Sequence, residues 1–173
     1  MRAHVRRGGI PGRGLLGLRD DARRIPRCYT VGAGETLSDA WPLDLQGRYA
    51  LIVHGPNGFF RGVSQSIPDD AHGGVEVHAR ADAAAPSLRL EMRCDGTSSA
   101  MIAIRDLAYG QPDRTVAVAA KDRVALEWRL TASQGWYDLE ITVAERPGFL
   151  RRLAGHVESG REGTTDPAGP HTG

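Results

Sequence analysis

The stretch RVALEWRLTASQGWYDLEITV, residues 123–143, sets the fold class of this protein. It contains two runs rich in Val, Leu, Ile, Trp and Tyr, at 123–131 and 136–143, which are separated by Gln134-Gly135. Apolar and polar residues alternate within the runs, as in half-buried strands. A short Gly-containing break between two such runs is typical of a hairpin connection. The stretch therefore predicts two β-strands with a tight connection.

Runs of the same kind continue on both sides of this stretch. Seven strands in about 85 residues match the size of an immunoglobulin-like sandwich, and the short connections favour antiparallel pairing. The predicted fold class is therefore all-β, an immunoglobulin-like antiparallel β-sandwich. The one helical candidate is a short turn near 64–71. The other predicted strands lie at 75–81, 88–92, 100–105, 114–119 and 149–157.

The sequence also repeats itself with a period near 88 residues, which becomes visible when Trp41 is laid on Trp128. The matched residues are mostly the aromatic and aliphatic types that a sandwich buries. The sequence therefore predicts two related β-units, of which the first is a copy of the second. The matches are Val31 with Val118, Ala33 with Ala120, Leu37 with Val124, Leu43 with Leu130, Gly47 with Gly135, Tyr49 with Tyr137, Leu51 with Leu139, Val53 with Ile141, and Gly58-Phe59-Phe60-Arg61 with Gly148-Phe149-Leu150-Arg151.

The two units are predicted to differ in completeness. Residues 74–168 are expected to form a complete β-sandwich, and residues 28–66 a partial, truncated first repeat that packs against it or is poorly ordered alone. Residues 1–27 show neither strand nor helix periodicity and contain eight Arg, so we expect a disordered basic tail. Residues 169–173 are expected to be a flexible C-terminus.

The distribution of charge excludes one class of partner. Residues 1–27 carry a net charge of +6, which leaves −5 for the remainder of a chain whose total is +1. Nucleic-acid binding needs a basic face on the folded part, so we expect no nucleic-acid partner. No apolar run approaches the roughly 18 to 20 residues of a membrane span. The apolar residues near the N-terminus are interrupted by Pro, Gly and Arg, which argues against a secretory signal.

The sequence predicts no catalytic residue, no metal site and no cofactor. His54, His78 and His156 lie in or beside predicted strands, without a second His, Cys or carboxylate at a metal-ligand spacing. Nucleophile-elbow, phosphate-loop and HExxH motifs are absent. The positions of Cys28 and Cys94 leave open whether these two residues form a disulfide.

Four residues are candidates for contact with lipid or another ligand. The turn at 55–58 could present two aromatic rings and a cation to a membrane interface. In the alternative interpretation, the turn is structural and at least one of its Phe residues faces the core. A Trp on the sheet face opposite Tyr137 could stack on choline or a glycan, and core packing is again the alternative. The candidates are Phe59, Phe60, Arg61 and Trp136.

Several distinctive segments resemble the C-terminal region of bacterial phosphocholine-preferring phospholipases C. The likeness covers residues 28–168 and includes no part of the catalytic domain. It implies a parent enzyme whose large catalytic domain cleaves phosphatidylcholine to diacylglycerol and phosphocholine, followed by two related β-rich domains. The segments are YTVGAGETLSDAW (29–41), HGPNGFFR (54–61), RDLAYG (105–110), GWYDLEITV (135–143), PGFLRRLAGHVESG (147–160) and TTDP (164–167).

This resemblance implies a non-catalytic accessory β-sandwich region of a phospholipase C, inactive alone. The expected partners are the catalytic domain, which this chain does not contain, and a phospholipid surface. An alternative is an independent binding module for choline head groups or glycans, and a third is a remnant without a task of its own. The parent family implies a secreted or periplasmic location. Whether the chain is a fragment or a short protein in its own right stays open.

Overall fold

A computed structural model describes residues 2–6, 12–18, 27–31, 36–41, 43–56, 58–66, 74–158, 160, 163 and 165–168. Every regular element in these residues is a β-strand and every strand pair is antiparallel, so the predicted all-β class is confirmed. The strands are β1 (Arg2–Arg6), β2 (Gly12–Leu18), β3 (Arg27–Val31), β4 (Thr36–Ala40), β5 (Arg48–His54), β6 (Phe60–Ser66), β7 (Val75–Asp82), β8 (Ser87–Cys94), β9 (Ala100–Asp106), β10 (Arg114–Val118), β11 (Arg123–Arg129), β12 (Trp136–Val143) and β13 (Arg146–His156).

Strands β7 to β13 correspond to the seven strands predicted for the second unit, and they are divided between two sheets. One sheet has the order β11-β8-β7 and the other contains the order β10-β9-β12-β13. With the strands lettered A to G, this arrangement places A, B and E in one sheet and C, F and G in the other, as in immunoglobulin domains. The fourth strand lies beside the third instead of the fifth, unlike a constant immunoglobulin domain. The side chains of both sheets form one core, which includes Leu90, Ile102, Trp128, Leu139 and Ile141, each 0% exposed.

Strands β1 to β6 repeat this arrangement. β1 pairs with β4, while β2 lies between β3 and β5, and β6 follows β5. Each strand pair of the first unit has the same register as the matching pair of the second unit. The matched residues are 87 to 90 positions apart in the sequence, as the repeat predicts. The duplicated architecture is therefore confirmed strand by strand. Matching pairs are Arg2↔Ala40 with Arg89↔Glu127, Gly12↔Val31 with Ala100↔Val118, Leu15↔His54 with Ala103↔Thr142, and Arg48↔Ser66 with Trp136↔His156.

The predicted basic tail, residues 1–27, lies partly outside the described residues; where this range is described, Arg2–Arg6, Gly12–Leu18 and the first residue of β3 are in strands. The sequence GRGLLGL of β2 lacks apolar and polar alternation, yet the strand is paired on both sides, so its backbone hydrogen bonds are made by its neighbours. The first unit is consequently less truncated than predicted. Within the described residues, it has a counterpart of every strand of the second unit except β7.

Two further expectations concern short segments. The helical turn near 64–71 is wrong where it can be compared, because residues 64–66 belong to strand β6. Pairing of those residues with β5 and β13 fixes an extended backbone there. Residues 67–71 and the C-terminal residues 169–173 lie outside the described residues.

The two units share one sheet, because β13 of the second unit pairs antiparallel with β6 of the first. The resulting eight-stranded sheet has the order β10-β9-β12-β13-β6-β5-β2-β3. Gly62 lies opposite Arg152, which is its own counterpart in the repeat, 90 residues later. A local two-fold axis therefore passes through this pair. We call β6, β13 and the turn before β6 the repeat junction; through it the first unit contacts the second.

Trp41 and Trp128 lie in matching surroundings. The guanidinium of Arg27 lies 4.1 Å from the centroid of the Trp41 ring, and that of Arg114 lies 4.9 Å from the Trp128 ring. Both arginines also donate from Nη1 to the carbonyl of the residue preceding the Trp, at 3.4 and 3.2 Å. Neither indole N–H has a hydrogen-bond partner among the described residues. The equivalence of the two Trp residues is therefore structural as well as sequential.

Candidate contact surface at the repeat junction

The four candidate residues lie around the repeat junction, and strand alternation divides them between the two faces of the eight-stranded sheet. Trp136 and Phe60 belong to the outer face, since the adjacent residue Tyr137 is 5% exposed and faces the core. Phe59 and Arg61 occupy the inner face. All four side chains are part-exposed.

Arg61 extends across the repeat junction into the second unit. Its Nη1 donates to the carbonyls of Phe60 and Ala154, at 2.7 and 3.1 Å, and its Nη2 donates to the Tyr137 hydroxyl at 3.0 Å. The guanidinium also lies 4.4 Å from the centroid of the Phe59 ring. Arg61 thus connects its own strand to β13 and β12.

Arg151, the counterpart of Arg61, makes the reciprocal contact with the first unit. Its Nη1 donates to the preceding carbonyl and to the carbonyl of Ser64, at 3.0 and 2.9 Å, and Nη2 donates to Gln65 Oε1. The Tyr49 hydroxyl donates to the same oxygen at 3.3 Å. The guanidinium lies 4.0 Å from the Phe149 ring centroid. Sequence reasoning did not select Arg151, although the repeated Gly-Phe-x-Arg motif was the signal that could have found it.

Two glycines allow this close packing. Gly155 has φ +151°, and a Cβ there would lie 3.0 Å from the Tyr137 hydroxyl oxygen and 3.5 Å from the Phe59 Cα. Gly58 has φ +67°, and its Cβ would lie 3.1 Å from Cζ3 of Trp136. The turn before β6 therefore rests directly against the second unit.

The candidate aromatic rings already have cationic or aromatic neighbours within the chain. Arg152 lies 5.4 Å from the Phe60 ring centroid, and the His54 ring meets Phe60 edge to face at 5.1 Å. Trp136 packs against His156 with ring centroids 4.7 Å apart. Guanidinium groups thus occupy the position over the Phe59 and Phe60 rings that a choline ammonium would take.

Two arginines of the outer face are paired with carboxylates. Arg152 forms a two-point contact with Asp138, at 3.0 and 2.8 Å, and this hydrogen bonding raises the pKa of the Arg152 guanidinium. Arg105 lies 3.3 Å from Glu140. Part-exposed apolar side chains lie on the same face as these pairs. They include Ile52, Phe60, Trp136 and Leu150.

His156 makes polar contacts through both ring nitrogens, and the two cysteines are unpaired thiols on different strands. His156 Nε2 lies 3.1 Å from the Gln134 carbonyl and Nδ1 lies 3.4 Å from Glu158. Cys28 is an exposed free thiol on β3, and Cys94 is a buried free thiol on β8. Among the described residues, no group of three or more His, Cys, Asp or Glu residues could hold a metal ion. The described part of the chain has no helix that could span a membrane.

A second cluster joins two of the segments that carry the resemblance. Asp106 accepts hydrogen bonds from the backbone N–H groups of Ala108, Tyr109 and Gln111, at 3.1, 2.9 and 3.0 Å, which fixes the loop after β9. The Tyr109 hydroxyl donates to Asp166 at 2.9 Å. Burial and this hydrogen bond raise the pKa of Tyr109. RDLAYG and TTDP, distant in sequence, therefore meet at one end of the second unit.

The geometry defines a duplicated antiparallel β-sandwich whose two copies share a sheet. The family model described as "Bacterial phospholipase C, C-terminal domain" matches residues 16–64 and 75–156, one stretch in each repeat. The chain therefore belongs to the family of bacterial phospholipase C C-terminal domains, and the resemblance seen in the sequence is confirmed.

Curated relatives agree with this assignment. The chain is 34% identical over 152 residues to a non-hemolytic phospholipase C of Pseudomonas aeruginosa, covering 85% of this chain and 22% of that protein. It is 35% identical over 170 residues to a hemolytic phospholipase C of the same organism, with coverages of 82% and 22%. A non-hemolytic phospholipase C of Burkholderia pseudomallei is 37% identical over 147 residues, with coverages of 82% and 21%. The chain thus spans about a fifth of the length of these relatives.

A solved structure also matches weakly. It comes from work on host cell surface retention of a 1.5-MDa bacterial ice-binding adhesin, with 10% identity and a TM-score of 0.30, and the match covers 86% of this chain and 53% of that one.

Proposed function

We propose that this chain is a non-catalytic accessory β-sandwich region that supports the catalytic part of a phospholipase C. The observation that carries the proposal is its match to the C-terminal domain of enzymes, of whose length the matched part is 22%. The parent reaction would be cleavage of phosphatidylcholine to diacylglycerol and phosphocholine, in a secreted or periplasmic enzyme. The arginines and aromatic residues of the repeat junction support this proposal, because they are used to join the two repeats.

The outer face of the eight-stranded sheet is the surface that we assign to the catalytic part. Arg105 and Arg152 on this face are paired with carboxylates, which reduces their attraction to an anionic membrane. Its part-exposed apolar residues suit contact with a protein surface, where aromatic side chains are enriched. Direct contact of Phe59, Phe60, Arg61 and Trp136 with a phospholipid surface is a weaker candidate, because these side chains already pack within the junction.

The first experiment tests catalysis. The purified chain is expected to release no phosphocholine from phosphatidylcholine vesicles above a protein-free blank. Turnover that rises with the concentration of the chain would overturn the accessory role.

The second experiment tests support of the catalytic part. The catalytic portion of a longer relative, prepared without its C-terminal region, is assayed with and without this chain. We expect the chain to raise activity or thermal stability, and Ile52→Asp on the outer face to weaken this effect. Thr115→Asp, on the same face but on the terminal strand β10, is the matched control. No effect of the unmodified chain on either measurement would contradict the proposal.

An independent choline-binding or glycan-binding module is the second candidate. It is favoured by Trp136, which is part-exposed on the outer face, whereas Trp41 is 6% exposed and Trp128 is 0% exposed. A ligand-dependent change in Trp fluorescence would therefore report mainly on Trp136. Titration with choline should change the spectrum of the unmodified chain and of Trp41→Phe, but not that of Trp136→Ala. An unchanged spectrum in all three proteins removes this candidate.

A further inference from the structure

One edge of the first unit differs from its counterpart. In the second unit, β8 is paired on both sides, with β11 and with β7. Its counterpart β1 is paired only with β4 in the part of the chain that the structure describes. The position beside β1 in the first unit therefore corresponds to the position of β7 in the second unit.

The exposure of equivalent core residues shows what β7 contributes. In the second unit, Val75 of β7 joins the core cluster that contains Tyr137, Ile141 and Leu153, which are 5%, 0% and 7% exposed. The counterparts of these three residues in the first unit are all part-exposed. They are Tyr49, Val53 and Val63. This part-exposed apolar surface is what the lack of a β7 counterpart among the described residues predicts.

We propose that the edge of β1 accepts an extended strand of the β7 type, supplied by the polypeptide that precedes this C-terminal region in the longer phospholipases C. This inference rests on membership of the family and not on the accessory role. Main-chain hydrogen bonds along the edge would bind the strand, and alternate apolar residues would cover the exposed core. The strand completes the first sandwich and connects this region to the rest of the enzyme.

The duplicated register specifies the sequence of the incoming strand. In the second unit, Val77 lies opposite Met92 and Glu76 lies opposite Arg93, with Arg93 Nη2 3.0 Å from the Glu76 carboxylate. A shift of 87 residues places Val5 and Arg6 at the positions of Met92 and Arg93. The sequence of β1, RAHVR, has basic residues at alternate positions. The partner strand should accordingly alternate small apolar residues with acidic or neutral polar ones.

The experiment supplies such a strand to the full chain. Residues 74–87 are copied ahead of Met1, so that the added Ser precedes Met1 as Ser87 precedes Leu88 in the second unit. A matched fusion carries Pro in the added copy at the positions of Val77 and Ala79, because Pro cannot donate to a ladder. Amide exchange of β1 is measured in both fusions and in the unmodified chain, together with the midpoint of urea unfolding.

The proposal predicts that the first fusion slows exchange of the β1 amides about tenfold or more, while the Pro fusion behaves like the unmodified chain. A peptide of residues 74–83 added in excess should protect the same amides of the unmodified chain. Equal exchange in the two fusions would overturn the proposal. So would light scattering that shows a dimer of the unmodified chain with protected β1 amides, because a second copy would then occupy the edge.

Discussion

The Tyr137 hydroxyl accepts a hydrogen bond of 3.0 Å from Arg61 Nη2, so a side chain of the first repeat completes the interior of the second. The reverse contact is made by Arg151, which donates to Gln65 in the first repeat. The two repeats therefore exchange equivalent arginines across a shared sheet. Such an exchange makes the stability of each repeat depend on the other.

Removal of Arg61 should destabilise both repeats together. Arg61→Ala deletes three hydrogen bonds from a charged donor, including the one to Tyr137. Such bonds contribute about 1.5–3 kcal/mol each when buried, and solvent reduces their sum at a part-exposed residue such as Arg61. We expect a loss of roughly 2–3 kcal/mol in the free energy of unfolding, measured by urea titration. Arg105→Ala, which removes an exposed ion pair with Glu140, is the control and should change it by less than about 1 kcal/mol. Equal effects of the two variants would contradict the reciprocal exchange.

Gly155→Ala should destabilise the repeat junction more than Gly110→Ala. Both glycines have positive φ, +151° and +75°, so both substitutions strain the backbone by about 1 kcal/mol. Only Gly155 adds a tight contact, because its Cβ would lie 3.0 Å from the Tyr137 hydroxyl oxygen and the neighbouring atoms would have to shift, whereas the Cβ at Gly110 meets no atom within 4 Å. We expect an additional loss of about 1–3 kcal/mol at Gly155. Thermal unfolding midpoints of the two variants compare them directly.

Trp128→Ala should cost more stability than Trp41→Ala. Both Trp residues stack on an arginine, but Trp128 is 0% exposed within the larger core and Trp41 is 6% exposed beside Leu51 in a small one. Replacement of a core Trp by Ala typically costs about 3–5 kcal/mol, and less where the surroundings can collapse or are partly solvated. Urea unfolding of the two variants tests the order. A larger loss at Trp41 would indicate that the first unit is the more tightly packed.

The first unit should lose stability in acid. Hydrogen bonds from the Tyr29 hydroxyl, Arg27 and the Ala40 N–H lower the pKa of Asp39 from 3.8 to about 2. A carboxyl group whose pKa is lowered on folding stabilises the folded state above its unfolded pKa, and this contribution disappears as pH falls through the folded pKa. The free energy of unfolding should therefore fall between about pH 4 and pH 2. Urea unfolding measured across this pH range should show no such component in the Asp39→Asn protein. The Asp113→Asn protein should still show it.

Tyr109→Phe should release the C-terminal segment from the loop after β9. The substitution removes the 2.9 Å hydrogen bond to Asp166 and leaves the ring in place. Amide exchange at residues 165–168 should become faster, while β12 and β13 remain protected. Tyr137→Phe, which changes the repeat junction, is the control because it should leave residues 165–168 unaffected. Unchanged exchange at residues 165–168 in Tyr109→Phe would show that other contacts hold the segment.

Much of the fold could be predicted from the sequence because both repeats use regular alternation. Alternation and turn residues predicted the strands of the second unit, and the observed registers agree with the shifts given by the Trp41 and Trp128 match. Strand β2 was missed because GRGLLGL has no polar alternation and contains three Gly, a residue that weakens strand patterns. Its conformation depends on pairing with β3 and β5, and local sequence does not indicate these pairings.

The candidate contact residues were predicted only in part. Composition and turn chemistry located Phe59, Phe60, Arg61 and Trp136, and alternation separated the two sheet faces. Nothing in a linear sequence indicates that Arg61 reaches Tyr137, 76 residues away, because that contact requires β6 to pair with β13. The role of Arg151 follows only when the same pairing is applied to the second repeat.

The pairing of Gly62 with its own counterpart, Arg152, limits how many repeats can assemble in this way. An isologous contact uses the same patch on both partners, so it closes after two members and leaves no equivalent patch for a third. The remaining ends of the sheet are the strands β3 and β10, which are also counterparts of each other. Duplication here has thus produced a finite, self-limiting pair of modules, in contrast to head-to-tail arrays that lengthen whenever another copy is added.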